Sequence, residues 1–327
     1  MRRSPSFLSG AAAGAVLVLA LAAPALADDG DGGFTIKDPR ITESSGLAAS
    51  RIHPGVYWTH NDSDDGAYLY AVDSRTGRTV ATITMSGVGA PRDVEAISLG
   101  PDGDLYVGDI GDNLGGKWDH VWIYKLPEPK VLKDQTIRAT QYVVKYEDGP
   151  RNAEAMMVQP KTGRVYIIDK DEDGGHLYEG PAELSASATN VFRRGAAVDL
   201  WVTDGAFSPN GRQFAVRGYF GGIAYDWNGG RIKRQGRLDV PLQGQGESVT
   251  YTTDGSKLLY GSEGADSAVQ AEDAPGGAGS DSKSPSGKGD LGDDVVSGGG
   301  PSGFEIGAVA AAGLLVVLLL KRLFRRR

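Results

Sequence analysis

Short runs in which apolar and polar residues alternate fill the chain from residue 33 to residue 270. Gly, Pro, Asp and Asn pairs punctuate them. That is the period and punctuation of antiparallel β-strands, and no stretch in this range keeps a helical period. The clearest unit is PRDVEAISLGPDGDLYVGDIGDN, residues 91–113: a strand, a Pro-Asp-Gly turn, a second strand and an acidic loop. The unit recurs as ESSGLAASRIHPGVYWTHNDSDDG (43–66), EAMMVQPKTGRVYIIDKDEDGG (154–175), DGAFSPNGRQFAVRGYFGG (204–222) and ESVTYTTDGSKLLYGSEGAD (247–266). Each copy is led by an acid, in order Glu43, Glu95, Glu154, Asp204 and Glu247.

Two more strand-like runs follow each of the first four hairpins, for example AYLYAVD (67–73) and TVATITM (79–85). A repeated four-stranded antiparallel unit is the anatomy of a propeller blade. The fifth hairpin is followed only by DSAVQ (266–270), and GFTIKD (33–38) upstream can supply the missing outer strand, tying the two ends of the ring together. The pattern therefore predicts an all-β fold, a five-bladed β-propeller over 33–270 with N-terminal strand closure. A six-bladed ring with one degenerate blade is the alternative.

The ends read differently. Residues 1–27 have an Arg2-Arg3 start, an apolar run and an Ala25-Leu26-Ala27 site, the layout of a secretory signal peptide. Residues 271–303 are rich in Gly, Ser, Asp and Pro, the composition of a flexible stalk. Residues 304–320 form an apolar segment suited to a transmembrane helix, and the basic tail 321–327 belongs in the cytoplasm by the positive-inside rule. The expected localisation is the cell membrane: a single-pass anchor with the propeller outside.

There is no cysteine, so neither disulfides nor thiolate-bound metal hold the fold. The formal net charge of −8 includes seven basic residues at the two ends, so the part between them is more acidic still. Nucleic acid is excluded as a partner by that charge, whereas cations suit it.

In a blade the first strand is innermost and the second runs back beside it. The start of one and the end of the other thus share a face. This places Glu43, Glu95, Glu154, Asp204 and Glu247, with Asp109 and Asp169, as a candidate metal ring round one channel mouth. Asn61, Asp62, Asp112, Asn113, Trp118 and Arg217 are the candidate ligand-facing residues beside it. Carboxylates crowded in a cleft raise one another's pKa unless cations or hydrogen bonds compensate, and an all-oxygen donor set suits Ca²⁺. The competing reading is that each acid caps its own blade. DKDEDG (169–174) approaches an EF-hand loop, but Gly180 stands where the closing Glu is needed. His53, His60, His120 and His176 lack zinc-site spacing.

The segments ESSGLAAS with HNDSDDG, DVEAISLGPDGDLYVGDIGDN and DGPRNAEAMMVQPKTGRVYIIDKD resemble a family of exported, membrane-anchored bacterial β-propellers, many actinobacterial and loosely WD-repeat-like. The resemblance spans most of 40–263 and implies the fold without an assigned activity. A more distant likeness is to phytase-like and gluconolactonase-like propellers with channel carboxylates around Ca²⁺. There Glu95, Glu154 and Glu247 are the corresponding kind of residue, although the paired basic cluster of a phytase is absent. The expected function is a cell-surface binding or scaffolding module for a cell-envelope ligand or partner protein. The alternatives are a Ca²⁺-dependent extracellular hydrolase of esters, lactones or phosphoesters, and a glycoside hydrolase.

Overall fold

The computed structural model describes residues 32–276. The segments read as signal peptide, transmembrane helix and basic tail, and nearly all of the one read as stalk, lie outside the described residues.

Twenty-one strands follow one another with no helix among the described residues. β1 (Phe34–Thr35) is followed by β2 (Ser44–Ala49), β3 (Val56–Asn61), β4 (Tyr68–Asp73) and β5 (Arg78–Ser86). Next come β6 (Val94–Leu99), β7 (Asp104–Asp109), β8 (Val121–Pro127), β9 (Gln135–Arg138) and β10 (Thr140–Tyr146). β11 (Ala153–Val158), β12 (Val165–Asp169), β13 (Gly175–Glu179) and β14 (Asn190–Val198) form a third group. β15 (Asp204–Phe207), β16 (Gln213–Gly218), β17 (Gly221–Asn228) and β18 (Arg231–Leu238) form a fourth. β19 (Gly246–Tyr251), β20 (Lys257–Ser262) and β21 (Ala268–Asp273) are the last among the described residues, β21 running three residues into the segment read as stalk.

Within β2–β5, β6–β8, β11–β14, β15–β18 and β19–β21 consecutive strands pair antiparallel, and β10 pairs antiparallel with β8. The first and last of the described strands meet where Phe34 and Thr35 of β1 pair with Val269 and Ala268 of β21. Two parallel pairings tie neighbouring groups at their outer edges: β5 with β9, and β10 with β14. The second fuses two groups into one eight-stranded sheet. These pairings cover outer edges that would otherwise expose unpaired backbone.

The inner strands β2, β6, β11, β15 and β19 touch in that order, and β19 returns to β2. Apolar side chains fill the wedges between groups. Trp58, Leu69 and Ile83 meet Ile97, Val107 and Tyr124 in one; Tyr57 and Val72 meet Leu259 and Val269 in another. Inner strands are buried on both faces, which is why β11 and β19 have no exposed residue at all. The arrangement is an all-β fold of the β-propeller kind.

Candidate functional site at the acidic mouth

The decisive local feature is a bulge. Pairing slips between Val94 and Ala96 in β6, between Ala153 and Ala155 in β11, and between Gly246 and Ser248 in β19. The residue left over is each time a glutamate: Glu95, Glu154 or Glu247. A bulge re-aims its extra side chain, and all three are buried, at 3–4% exposed. In β2 the slip takes in Ser45 and Gly46. Ser45, not Glu43, therefore occupies the place of Glu95, and its hydroxyl donates to Glu95 Oε2 at 2.9 Å.

A repeated backbone bond closes four of the hairpins. The N–H groups of Asp62, Gly111, Lys170 and Glu263 donate to the carbonyls of Glu43, Asp93, Asn152 and Gln245 respectively. Glu43 thus corresponds to Asp93; it is half-buried and accepts from the Ser63 hydroxyl at 3.2 Å. Lys170 sits where Asp62 and Glu263 sit in their own hairpins. Its ammonium donates to Glu154 Oε1 and, at 2.7 Å, to the Tyr219 hydroxyl. It also lies 4.9 Å from the Tyr219 ring centroid and 5.7 Å from that of Trp201.

Beside this pair, Asp62, Asp93 and Glu95 are all buried, with ligand oxygens within 4.8 Å of one another. Gly111 makes the approach possible: a β-carbon there would lie 2.6 Å from Asp93 Cγ and 2.7 Å from Glu95 Oε1. Asn113 closes over them, its side-chain amide donating to Asp93 Oδ2 at 3.0 Å.

Burial pushes the Glu95 carboxyl well above its usual range, and the charges of Glu154, Asp93 and Asp62 push it further. Glu154 rises to about 7 through burial, against the opposing pull of Lys170. Glu247 rises to about 7 through burial and then the charge of Glu154. For Lys170 burial favours the neutral amine, but Glu154, Tyr219, Glu247 and Glu95 outweigh it and raise its pKa. The mouth thus holds more carboxyl groups than its one lysine pairs with.

Other expected members of the ring do different work. Asp109 has no exposure and accepts from the N–H of Asp93 (3.0 Å) and Arg92 (3.1 Å) and from the Tyr124 hydroxyl (2.6 Å). Asp169, at the same place in its hairpin, accepts from Arg151 at 2.8 Å and from the N–H of His176. Asn61 accepts from the N–H groups of Thr42 and Glu43, both at 3.0 Å. Asp112 holds its loop through the N–H groups of Trp118 (2.7 Å) and Leu114 (3.3 Å). These residues sit level with backbone donors at the strand ends and act as caps.

Asp204 lies in a strand that pairs without a slip, so it is aimed sideways. It accepts from the N–H of Gly205 at 2.7 Å and of Val249 at 2.8 Å, stapling β15 to β19. Arg217 is not ligand-facing. It is fully buried, and its Nη1 donates to the carbonyls of Gly261 (2.8 Å) and Ser248 (3.1 Å) and to Gln243 Oε1 (3.1 Å). Gly246 makes room for it, since a β-carbon there would lie 1.8 Å from Nη2. Trp118 is half-buried under Arg92, whose guanidinium is 3.9 Å from the Trp118 ring and 3.8 Å from the Trp122 ring.

Sequence reasoning missed Asp93, Ser45, Lys170 and Tyr219. For Asp93 and Lys170 a signal existed, because aligning each hairpin on its turn places them against Glu43 and Asp62.

The opposite ends of the inner strands frame a cavity of about 300 Å³. Its lining includes Leu47, Leu99, Val158, Phe207, Tyr251 and Thr250, with Arg51 as the one charged residue.

No protein-family model and no curated protein matches the sequence. Among solved structures, the chain is similar to the soluble aldose sugar dehydrogenase of Escherichia coli at 11% identity, covering 74% of this chain and 99% of that one, with a TM-score of 0.45. It is similar to the WD40 repeats of RRP9 at 10% identity, covering 74% and 98%, with a TM-score of 0.40. A putative 6-phosphogluconolactonase from Bacteroides uniformis gives 13% identity, 71% and 67% coverage and a TM-score of 0.39. The chain spans 63% of the matched chain of a mitotic checkpoint complex, at 14% identity over 70% of its own length and a TM-score of 0.39. At these identities the likeness concerns the fold alone.

Proposed function

We propose that the chain is an exported, membrane-tethered binding module, a five-bladed β-propeller whose acidic mouth holds a hard divalent cation, Ca²⁺ first. The observation that carries this reading is the trio Asp62, Asp93 and Glu95, buried and with oxygens within 4.8 Å of one another. Three such groups repel when ionised. A divalent cation with an oxygen-only preference relieves that repulsion without a change in the protein, and its remaining ligands would be water or a partner's oxygens. The five inner strands in contact and the pairing of β1 with β21 support the blade count.

Calorimetry of the full-length protein tests the cation. Ca²⁺ at about a hundred times its Kd stabilises by about 2.7 kcal/mol, and EDTA reverses the shift. Asp93→Asn should abolish the response, and an unchanged melting temperature at millimolar Ca²⁺ in the parent protein refutes the metal. A second reading, a Ca²⁺-dependent hydrolase, draws on Glu154, whose pKa near 7 suits a general base. Turnover of chromogenic esters, lactones or phosphoesters, lost in Glu154→Gln, would favour it over a binding module.

A further inference from the structure

The acidic mouth has an apolar rim that neither a metal site nor the packing of the sheets uses. Phe220, in the turn between β16 and β17, is 65% exposed; Leu242, between β18 and β19, is 92% exposed; Leu114, between β7 and β8, is 57% exposed. All three lie on loops at the strand ends that carry Asp62, Lys170 and the three buried glutamates, so they share that face. Large apolar side chains left exposed on the face that carries a polar centre suit an interaction surface. An aromatic path joins rim to centre: Phe220 and Tyr219 ring centroids are 6.3 Å apart, Tyr219 and Trp201 5.2 Å, and Lys170 faces the last two.

Lys170 is an internal example of what this surface accepts. Its ammonium is held by a carboxylate, a phenol and two aromatic faces. The acceptors exceed this one cation: Glu154 is 3% exposed, and its Oε2 has no hydrogen-bond partner among the described residues. The apolar rim residues come from loops of separate blades, a spread that a small cation would not use and an extended chain would.

We propose that this face docks a basic polypeptide in which apolar residues alternate with lysine or arginine. The cationic side chains meet the exposed acids of the same face, Asp64 between β3 and β4 and Asp171, Glu172 and Asp173 between β12 and β13, and the apolar ones rest on Phe220, Leu242 and Leu114. The proposal rests on reading the mouth as a binding surface, but not on a metal being there.

The test is fluorescence anisotropy of the full-length protein with three labelled peptides: alternating lysine and leucine, lysine and serine, and glutamate and leucine. The lysine–leucine peptide should bind about tenfold more tightly than the lysine–serine peptide, and the glutamate–leucine peptide should not bind. Phe220→Ser with Leu242→Ser should weaken lysine–leucine binding about tenfold at an unchanged melting temperature, since both side chains are exposed. Equal affinity for the lysine–leucine and lysine–serine peptides means general charge attraction and overturns the proposal, as does parental affinity in the double variant. Calcium is titrated in parallel by calorimetry. A calcium shift without peptide binding leaves the metal standing and ends this proposal, and peptide binding without a calcium shift does the reverse.

Discussion

The two mouths of the channel are made by the same five strands and differ almost completely in chemistry. At the starts of the inner strands stand Glu95, Glu154 and Glu247, with Asp62, Asp93 and Lys170 beside them. At their far ends stand Leu47, Leu99, Val158, Phe207 and Tyr251 round a cavity, with Arg51 alone carrying charge. Polar side chains do occur near the far mouth, but in turns. Asp102, Asn210 and Asp254 each accept the N–H two residues on, and Gln159 accepts those of Lys161 and Thr162. Closing the ring therefore needs caps at both mouths and buried glutamates at neither. The near mouth has both tiers: caps in Asn61, Asp109 and Asp169, and a surplus in the bulge glutamates. The caps hold the fold, and the surplus is the candidate for function.

The strongest way to break that distinction is to exchange one residue of each tier. Asp109→Ala strips acceptors from two backbone N–H groups and the Tyr124 hydroxyl, all within the fold. Each orphaned group costs on the order of 1–3 kcal/mol, so a loss of about 4 kcal/mol is expected in urea unfolding. Glu247→Gln keeps the shape and removes a charge that burial disfavours, so stability should hold or rise at pH 8. If both variants lose comparable stability, the two tiers are one.

A smaller effect separates the tiers by pH. Glu154 and Glu247 have pKa values raised from 4.5 to about 7 in the folded protein. A raised carboxylate favours folding while it is protonated. The contribution is complete below about pH 4.5 and is lost as pH rises through 7. Its size is on the order of 3 kcal/mol for the coupled pair. His60 runs the other way, because burial lowers its pKa to about 4, so acid below about pH 6.5 weakens the fold. Subtracting the melting curve of the Glu154→Gln, Glu247→Gln double variant from that of the parent removes the His60 contribution. The parent should lose stability relative to the variant between pH 5 and pH 8, and a flat difference would place the glutamates in the capping tier.

The tiers were only half legible in the sequence. Strand periodicity and the recurring Pro-Asp-Gly or equivalent turn carried the β-propeller class, because both are local. The acids were also visible, but a one-residue bulge decides which of two neighbours faces the channel, and periodicity does not encode bulges. Periodicity therefore favours Glu95 over its neighbour Asp93 and puts Glu43 in the ring where Ser45 stands. Asp204 failed for the opposite reason: its strand has no slip, so the same leading position points at the backbone of β19. Lys170 stands inside an acidic loop, where composition gives no sign that it turns inward to pair with Glu154.

The smallest expected effect belongs to the far mouth. Arg51 donates to the Gly100 carbonyl at 2.8 Å and is exposed. Arg51→Met should therefore cost about 0.5 kcal/mol, the scale of surface substitutions away from buried networks. It makes the lining of that cavity uncharged while leaving the other end of every inner strand untouched. The calcium shift and peptide affinity measured for the parent should reappear unchanged, because direct charge effects fall off over about 10 Å in ordinary buffer. A calcium response altered by this change would mean that the two ends of the inner strands are coupled, and the acidic mouth would no longer count as an independent site.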